Sequence, residues 1–92
     1  MIDSFRCRDT EALYAGKSPK RWRAIEAIAA RKLQILEAAK ELKDLRSPPG
    51  NRLEALGGDR RGQHSIRING QWRLCFVWTG AAAAAVEIVD YH

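Results

Sequence analysis

The sequence predicts an α+β fold, with two N-terminal helices packed on one face of a small, mainly antiparallel β-sheet. Three observations predict it. Residues 19–43 carry apolar side chains at helical spacing, residues 63–78 alternate around Asn69-Gly70, and residues 86–91 read as a further strand. Helical patterns come early and antiparallel strand patterns late, which places the helices on one sheet face. The opposite face is then expected to be free to bind something.

Taken in order, residues 2–6 read as a short first strand. Asp9 is the candidate N-cap of a first helix, and Gly16 its stop. Ser18 and Pro19 open a second helix, since proline suits a first-turn position where no amide hydrogen is needed. That helix is expected to run to about Lys43. At about 3.6 residues per turn, Trp22, Ile25, Ala29, Leu33, Leu36 and Leu42 fall on one half of its circumference. Arg23, Glu26, Lys32, Gln34, Glu37 and Glu41 fall on the other and read as a solvated face. Ser47-Pro48-Pro49-Gly50-Asn51 ends the helical pattern, because prolines lack amide donors and push the preceding residue out of helix. Gln63 to Ile68, Gln71 to Trp78 and Val86 to Tyr91 are the later strands, and Ala81 to Ala85 reads as a variable connection.

Asn69-Gly70 is a strong hairpin signal, because both residues accept the positive φ of a type I′ turn. A strict two-residue turn would pair Ile68 with Gln71 and leave neither face cleanly apolar. A longer or bulged loop changes the parity. It puts Ser65, Arg67 and Arg73 on one face and Ile66, Ile68, Trp72, Leu74 and Phe76 on the other. The second arrangement separates core from polar surface and is the expected one.

Size and charge bound the function. Ninety-two residues suit one domain, taken here as 1–92, with a modest core. With 46% hydrophobic and 29% charged residues, the chain reads as globular and not disordered. Sixteen Lys and Arg against eleven Asp and Glu leave a net charge of +5, which favours a polyanionic partner such as nucleic acid or a ribosome. No apolar run is long enough to span a bilayer, and the N-terminus lacks the apolar core of a signal peptide. A soluble, cytoplasmic protein is expected. Cys7 and Cys75 lack CxxC or CxxH spacing, and Cys75 among Leu74, Phe76 and Val77 reads as a buried thiol. Neither a metal site nor a cofactor is expected: two histidines have no partner at ligand spacing, and no phosphate-binding glycine loop occurs.

The chemistry-bearing residues gather at the C-terminus. Asp90, Tyr91 and His92 follow Val86-Glu87-Ile88-Val89, and Arg73 opens a neighbouring strand. Cleaving an RNA phosphodiester by internal attack needs the 2′-hydroxyl deprotonated, the 5′-oxygen protonated and the phosphorane charge stabilised. His92 and Asp90 are candidates for the proton steps, Tyr91 for proton donation or base stacking, and Arg73 for the phosphate. Arg52, Arg60, Arg61 and Arg67 are candidates for flanking phosphates. Asp90 and Tyr91 alternate across a strand, so one packed and one solvated residue is the blander alternative. His64 reads as a strand histidine, and Trp22, Trp72 and Trp78 as core aromatics rather than base-stacking platforms.

Several ordered blocks carry a resemblance across nearly the whole chain. They are Pro48-Pro49-Gly50-Asn51-Arg52-Leu53-Glu54-Ala55-Leu56, Gly58-Asp59-Arg60, Gly62 to Asn69, Gln71-Trp72-Arg73-Leu74-Cys75-Phe76 and the closing Asp90-Tyr91-His92. Together they resemble HigB-type toxins of the RelE superfamily of toxin–antitoxin systems. The resemblance implies a metal-independent endoribonuclease that cuts messenger RNA in the ribosomal A site. It also implies neutralisation by a HigA-type antitoxin with a helix-turn-helix fold, operator DNA being reached only through that antitoxin. Arg73 matches the family's phosphate-stabilising arginine, Asp90, Tyr91 and His92 its catalytic triplet, and Gln71 a polar position at the site. Glu54 and Gly57 depart from the histidine and lysine that several members carry. The lysine's charge is therefore missing, and whether Arg60 or Arg61 supplies it stays open. A weak nuclease fits this loss, because a ribosome that orients the message reduces the demand on acid/base groups. The alternative is a non-catalytic basic module that binds RNA or a ribosome.

Overall fold

The computed structural model describes residues 1–90. Its helices are α1 (Arg8–Tyr14) and α2 (Glu26–Ala38), and its strands β1 (Glu54–Ala55), β2 (His64–Arg67), β3 (Trp72–Trp78) and β4 (Ala83–Asp90). Among the described residues the strands form one antiparallel sheet in the order β1-β2-β3-β4. Tyr91, the expected end of the last strand, lies outside the described residues, as does His92.

Asn69 sets the sheet's register. Its side-chain oxygen accepts hydrogen bonds from the amides of Gln71 at 2.9 Å and Trp72 at 2.8 Å. The connection is thereby longer than two residues, and β2 and β3 pair as Arg67 with Arg73, Ile66 with Leu74 and Ser65 with Cys75. This is the parity that separates apolar from polar residues. Ile66, Leu74, Phe76 and Ile88 pack with Leu13, Trp22, Ile25, Ala29, Leu33 and Leu36 into one core between sheet and helices. Trp22 meets Trp72 edge-on at 6.2 Å, so both serve this core.

The second helical segment is not continuous to Lys43. A 3-10 turn over Lys20–Ile25, kinked at Trp22, leads into α2, and Ala39 leaves the helix with φ −67° and ψ 131°. Asp44 explains the break. Its carboxylate accepts the amides of Lys40 at 3.0 Å and Glu41 at 2.9 Å, capping a separate 3-10 turn over Leu42–Arg46. Those two amide bonds hold the Asp44 carboxyl below its ordinary pKa.

Residues 2–6 do not form a strand in the sheet. Ile2 and Phe5 make isolated parallel bridges to Ala83 and Val86 of β4. Between them β4 carries a bulge, with the register shifting between Cys75 and Val77, and Ala85 has φ 51°. The Ala85 amide turns to Ser4 Oγ at 2.9 Å. The alanine run is thus largely strand and not connection: Ala83 to Ala85 belong to β4.

The sheet face expected to be open is covered at its centre. Ser65 and Cys75 are fully buried, and Arg73 is 6% exposed. The segment between β1 and β2 reaches over this face, where Arg60 donates to Glu87 of β4 at 3.2 Å. Burial raises the Cys75 thiol pKa; Arg60 and Arg73 oppose that shift and Glu87 adds to it.

Candidate nucleic-acid site

The construction of the site starts in α2. Lys32, expected on the solvated face, is buried and donates from Nζ to Asn51 Oδ1. Asn51 is itself fully buried, and its Nδ2 donates to the carbonyls of Leu45 at 3.1 Å and Ser47 at 3.2 Å. Every polar atom of the amide group is thereby used to pin the proline-rich turn to the helix. Burial lowers the Lys32 pKa, with further lowering from Arg31 and Arg67. Immediately after this anchor, Arg52 takes a left-handed conformation, with φ 45° and ψ 58°.

That turn aims the Arg52 carbonyl at Arg73, whose Nη2 donates to it at 2.7 Å. Arg73 Nε donates to Ser65 Oγ at 2.8 Å, across the β2–β3 ladder. Arg73 Nη1 also lies 3.5 Å from Glu54 Oε1. The guanidinium is therefore held in one orientation by two short bonds, one from the sheet and one from the turn, with a half-exposed carboxylate beside it. A planar fork fixed this way suits two oxygens of one phosphate better than a mobile lysine would.

The structure brings together some expected site residues and separates others. Arg67 stands opposite Arg73 in the ladder, half-buried, and on the same face. Arg52 contributes its carbonyl to Arg73, while its side chain region is exposed. Arg60 is engaged with Gln63 and Glu87, and Arg61 is exposed. Asp90 pairs with Trp72 in the β3–β4 ladder, whereas Arg73 pairs with Val89. Strand alternation therefore gives Asp90 the parity of Trp72 and not of Arg73. Its carboxylate accepts from Gln71 Nε2 at 3.2 Å, so those two residues are neighbours at the sheet's end. The other two members of the expected catalytic triplet, Tyr91 and His92, lie outside the described residues.

The resemblance marked the position of Glu54 but not its pairing with Arg73, and Lys32 with Asn51 were not read as supports of the site. Asn51 carried a signal, since it closes a proline-glycine turn. Lys32 carried none, because lysine at the edge of an amphipathic pattern ordinarily reaches solvent. His64 lies in β2 as expected, stacked on Phe76 at 6.3 Å. It lines a cavity of about 430 Å³ with Leu42, Lys43, Arg46, Leu53 and Ala55. By strand parity His64 faces away from Arg73. Among the described residues no group of three or more His, Cys, Asp or Glu could hold a metal, and no helix is long and apolar enough to cross a membrane.

The α+β fold, with helices on one face of a four-stranded antiparallel sheet, is of the RelE-like toxin class, as the comparisons with known proteins show. Residues 11–92 match the family model of the RelE-like toxin of type II toxin–antitoxin system HigB. The chain belongs to this HigB-like toxin family. It is 52% identical over 60 residues to Toxin HigB-1 of Vibrio cholerae serotype O1, covering 65% of this chain and 63% of that protein. It is 45% identical over 49 residues to an uncharacterized protein of Haemophilus influenzae, covering 53% of this chain and 48% of that one. The match thus spans less than two thirds of the length of these curated relatives. Among solved structures, the fold resembles that of YafQ from E. coli strain BL21(DE3), with a TM-score of 0.62 and 12% identity. That likeness covers 98% of this chain and 93% of that one.

Proposed function

We propose that this protein is the toxin of a type II toxin–antitoxin pair and acts as a metal-independent, ribosome-dependent endoribonuclease on messenger RNA in the A site. The observation that carries the reading is the Arg73 guanidinium, fixed by Ser65 and the Arg52 carbonyl within a basic, RelE-like scaffold. In this reaction the 2′-oxygen attacks the adjacent phosphorus and the bond to the 5′-oxygen breaks. One proton leaves the 2′-hydroxyl and one reaches the departing 5′-oxygen, giving a 2′,3′-cyclic phosphate and a 5′-hydroxyl. Arg73 stabilises the charge that builds on the non-bridging oxygens, a role that demands a donor already aligned before reaction. Tyr91 and His92 are assigned the proton steps, Asp90 a supporting place beside Gln71 at the end of β4, and Arg52, Arg61, Arg67 and Gln71 the flanking message. Arg60 joins them if its bond to Glu87 opens.

A ribosome that holds the message in a bent, reactive shape supplies much of the catalytic advantage by orientation. This suits a site whose buried cation on that face, Arg73, cannot exchange protons at neutral pH. The partner that silences the toxin is assigned as a HigA-type helix-turn-helix antitoxin, and operator DNA is reached through it.

Mapping messenger 5′ ends after brief induction tests the proposal. New ends inside coding regions, lost in Arg73→Ala and His92→Ala, are the expected result. Translation arrest with no new ends would replace the nuclease by a non-catalytic basic module that binds RNA or the ribosome.

A further inference from the structure

The pair Glu54–Arg73 is unequal. Arg73 has a side chain only 7% exposed, whereas that of Glu54 is 48% exposed. Ser65 and the Arg52 carbonyl hold the guanidinium independently of Glu54. Glu54 itself sits on β1, the two-residue strand at the sheet's edge, whose register pairs Glu54 with Ser65 and Ala55 with His64. If the carboxylate swings away, the arginine keeps its orientation, because its bonds to Ser65 and the Arg52 carbonyl remain. The reverse does not hold.

A carboxylate and a phosphodiester present the same thing to a guanidinium: two oxygens sharing one negative charge. Glu54 therefore occupies the place, and supplies the charge, that a phosphate of bound RNA would bring. We propose that Glu54 is an intramolecular phosphate surrogate that lowers the affinity of the Arg73 site for free single-stranded RNA. A phosphodiester must displace this carboxylate to reach Nη1, and it meets like-charge repulsion while doing so. The inference rests on the reading of Arg73 as the phosphate contact and adds a residue that sets how readily that contact forms. Because the carboxylate is half exposed, solvent screening limits the effect to a modest factor.

The test measures binding of a short single-stranded RNA with 2′-O-methyl riboses, which cannot be cut by 2′-hydroxyl attack. Fluorescence anisotropy at low salt is expected to give Glu54→Gln about 1.5-fold to fivefold tighter binding than wild type, the range of an exposed ion pair. The gain is expected to shrink as salt is added. In an Arg73→Gln background, Glu54→Gln is expected to change nothing; an undiminished gain there would assign the effect to general repulsion and overturn the proposal. If Arg73→Gln does not fold, the Arg73 Nε–H resonance carries the test in the single variant. A larger RNA-induced shift in Glu54→Gln than in wild type supports the surrogate, and an equal shift removes it. Tighter binding by Glu54→Gln with no message cleavage by either protein sinks the nuclease reading and keeps the surrogate. Message cleavage with unchanged affinity in Glu54→Gln does the opposite.

Discussion

The Arg52 carbonyl accepts a 2.7 Å hydrogen bond from Arg73 Nη2 while Arg52 holds a left-handed backbone conformation. A non-glycine residue in that conformation is uncommon and must be held by its surroundings. The holding contacts lie one residue earlier, where buried Asn51 joins Lys32 of α2 to the carbonyls of Leu45 and Ser47. Helix, turn and arginine form one mechanical chain.

Arg73→Lys is expected to abolish most activity although it keeps the charge. An ammonium cannot donate to Ser65 Oγ and the Arg52 carbonyl while also offering two parallel donors to a phosphate. A loss of roughly a hundredfold in message cleavage, typical of removing one aligned donor to a developing anion, is expected in a reconstituted translation reaction. Activity within a few-fold of wild type would mean that a point charge suffices.

Asn51→Ala is expected to destabilise the fold by about 2–3 kcal/mol, because it strands a buried lysine and the buried Leu45 carbonyl and removes the bond to the Ser47 carbonyl. Chemical denaturation reads this directly. The folded fraction should also bind RNA more weakly, since Arg52 loses its anchor. Asn51→Asp is expected to keep the bond from Lys32 but lose both bonds to the Leu45 and Ser47 carbonyls.

Glu37 should shape the acid limb of stability. Its carboxylate accepts the Ile2 amide at 3.0 Å and the Tyr14 hydroxyl at 2.9 Å, and these bonds lower its pKa from the ordinary 4.5. The unfolded chain therefore takes up a proton at higher pH than the folded one. The stabilisation is fully present above the unfolded value and is lost as pH falls through the folded value. Tyr14 works in the opposite sense: its hydroxyl pKa is raised, chiefly by the bond to Glu37, so its contribution fades as the medium becomes strongly alkaline. Glu37→Gln is expected to lower Tm at neutral pH and flatten its fall below about pH 4.5. A profile that keeps the wild-type slope would place the acid sensitivity elsewhere.

The sequence by itself determined the class of fold, because the signals for it are local and repeated. An apolar stripe at helical spacing identifies α2, and alternation identifies β2 and β3. The parity of their pairing was also legible, since only one register puts Ile66, Leu74 and Phe76 on a common face, and Asn69 then shapes the loop to match. Arg73 and Arg67 on the other face follow from the same parity.

Only the tertiary structure decided the end of α2, the burial of Lys32 and the company of Arg73. Asp44 captures two amides and breaks a pattern that periodicity alone would continue, a competition between side chain and helix that no apolar spacing records. Lys32 with Asn51, and Arg73 with Glu54, are pairs 19 residues apart in the chain, brought within reach by packing of the whole domain. Hydrophobic periodicity specifies which face of an element is buried. Which polar groups then meet across the remaining face depends on loop geometry, and here a left-handed Arg52 and a two-residue edge strand set it.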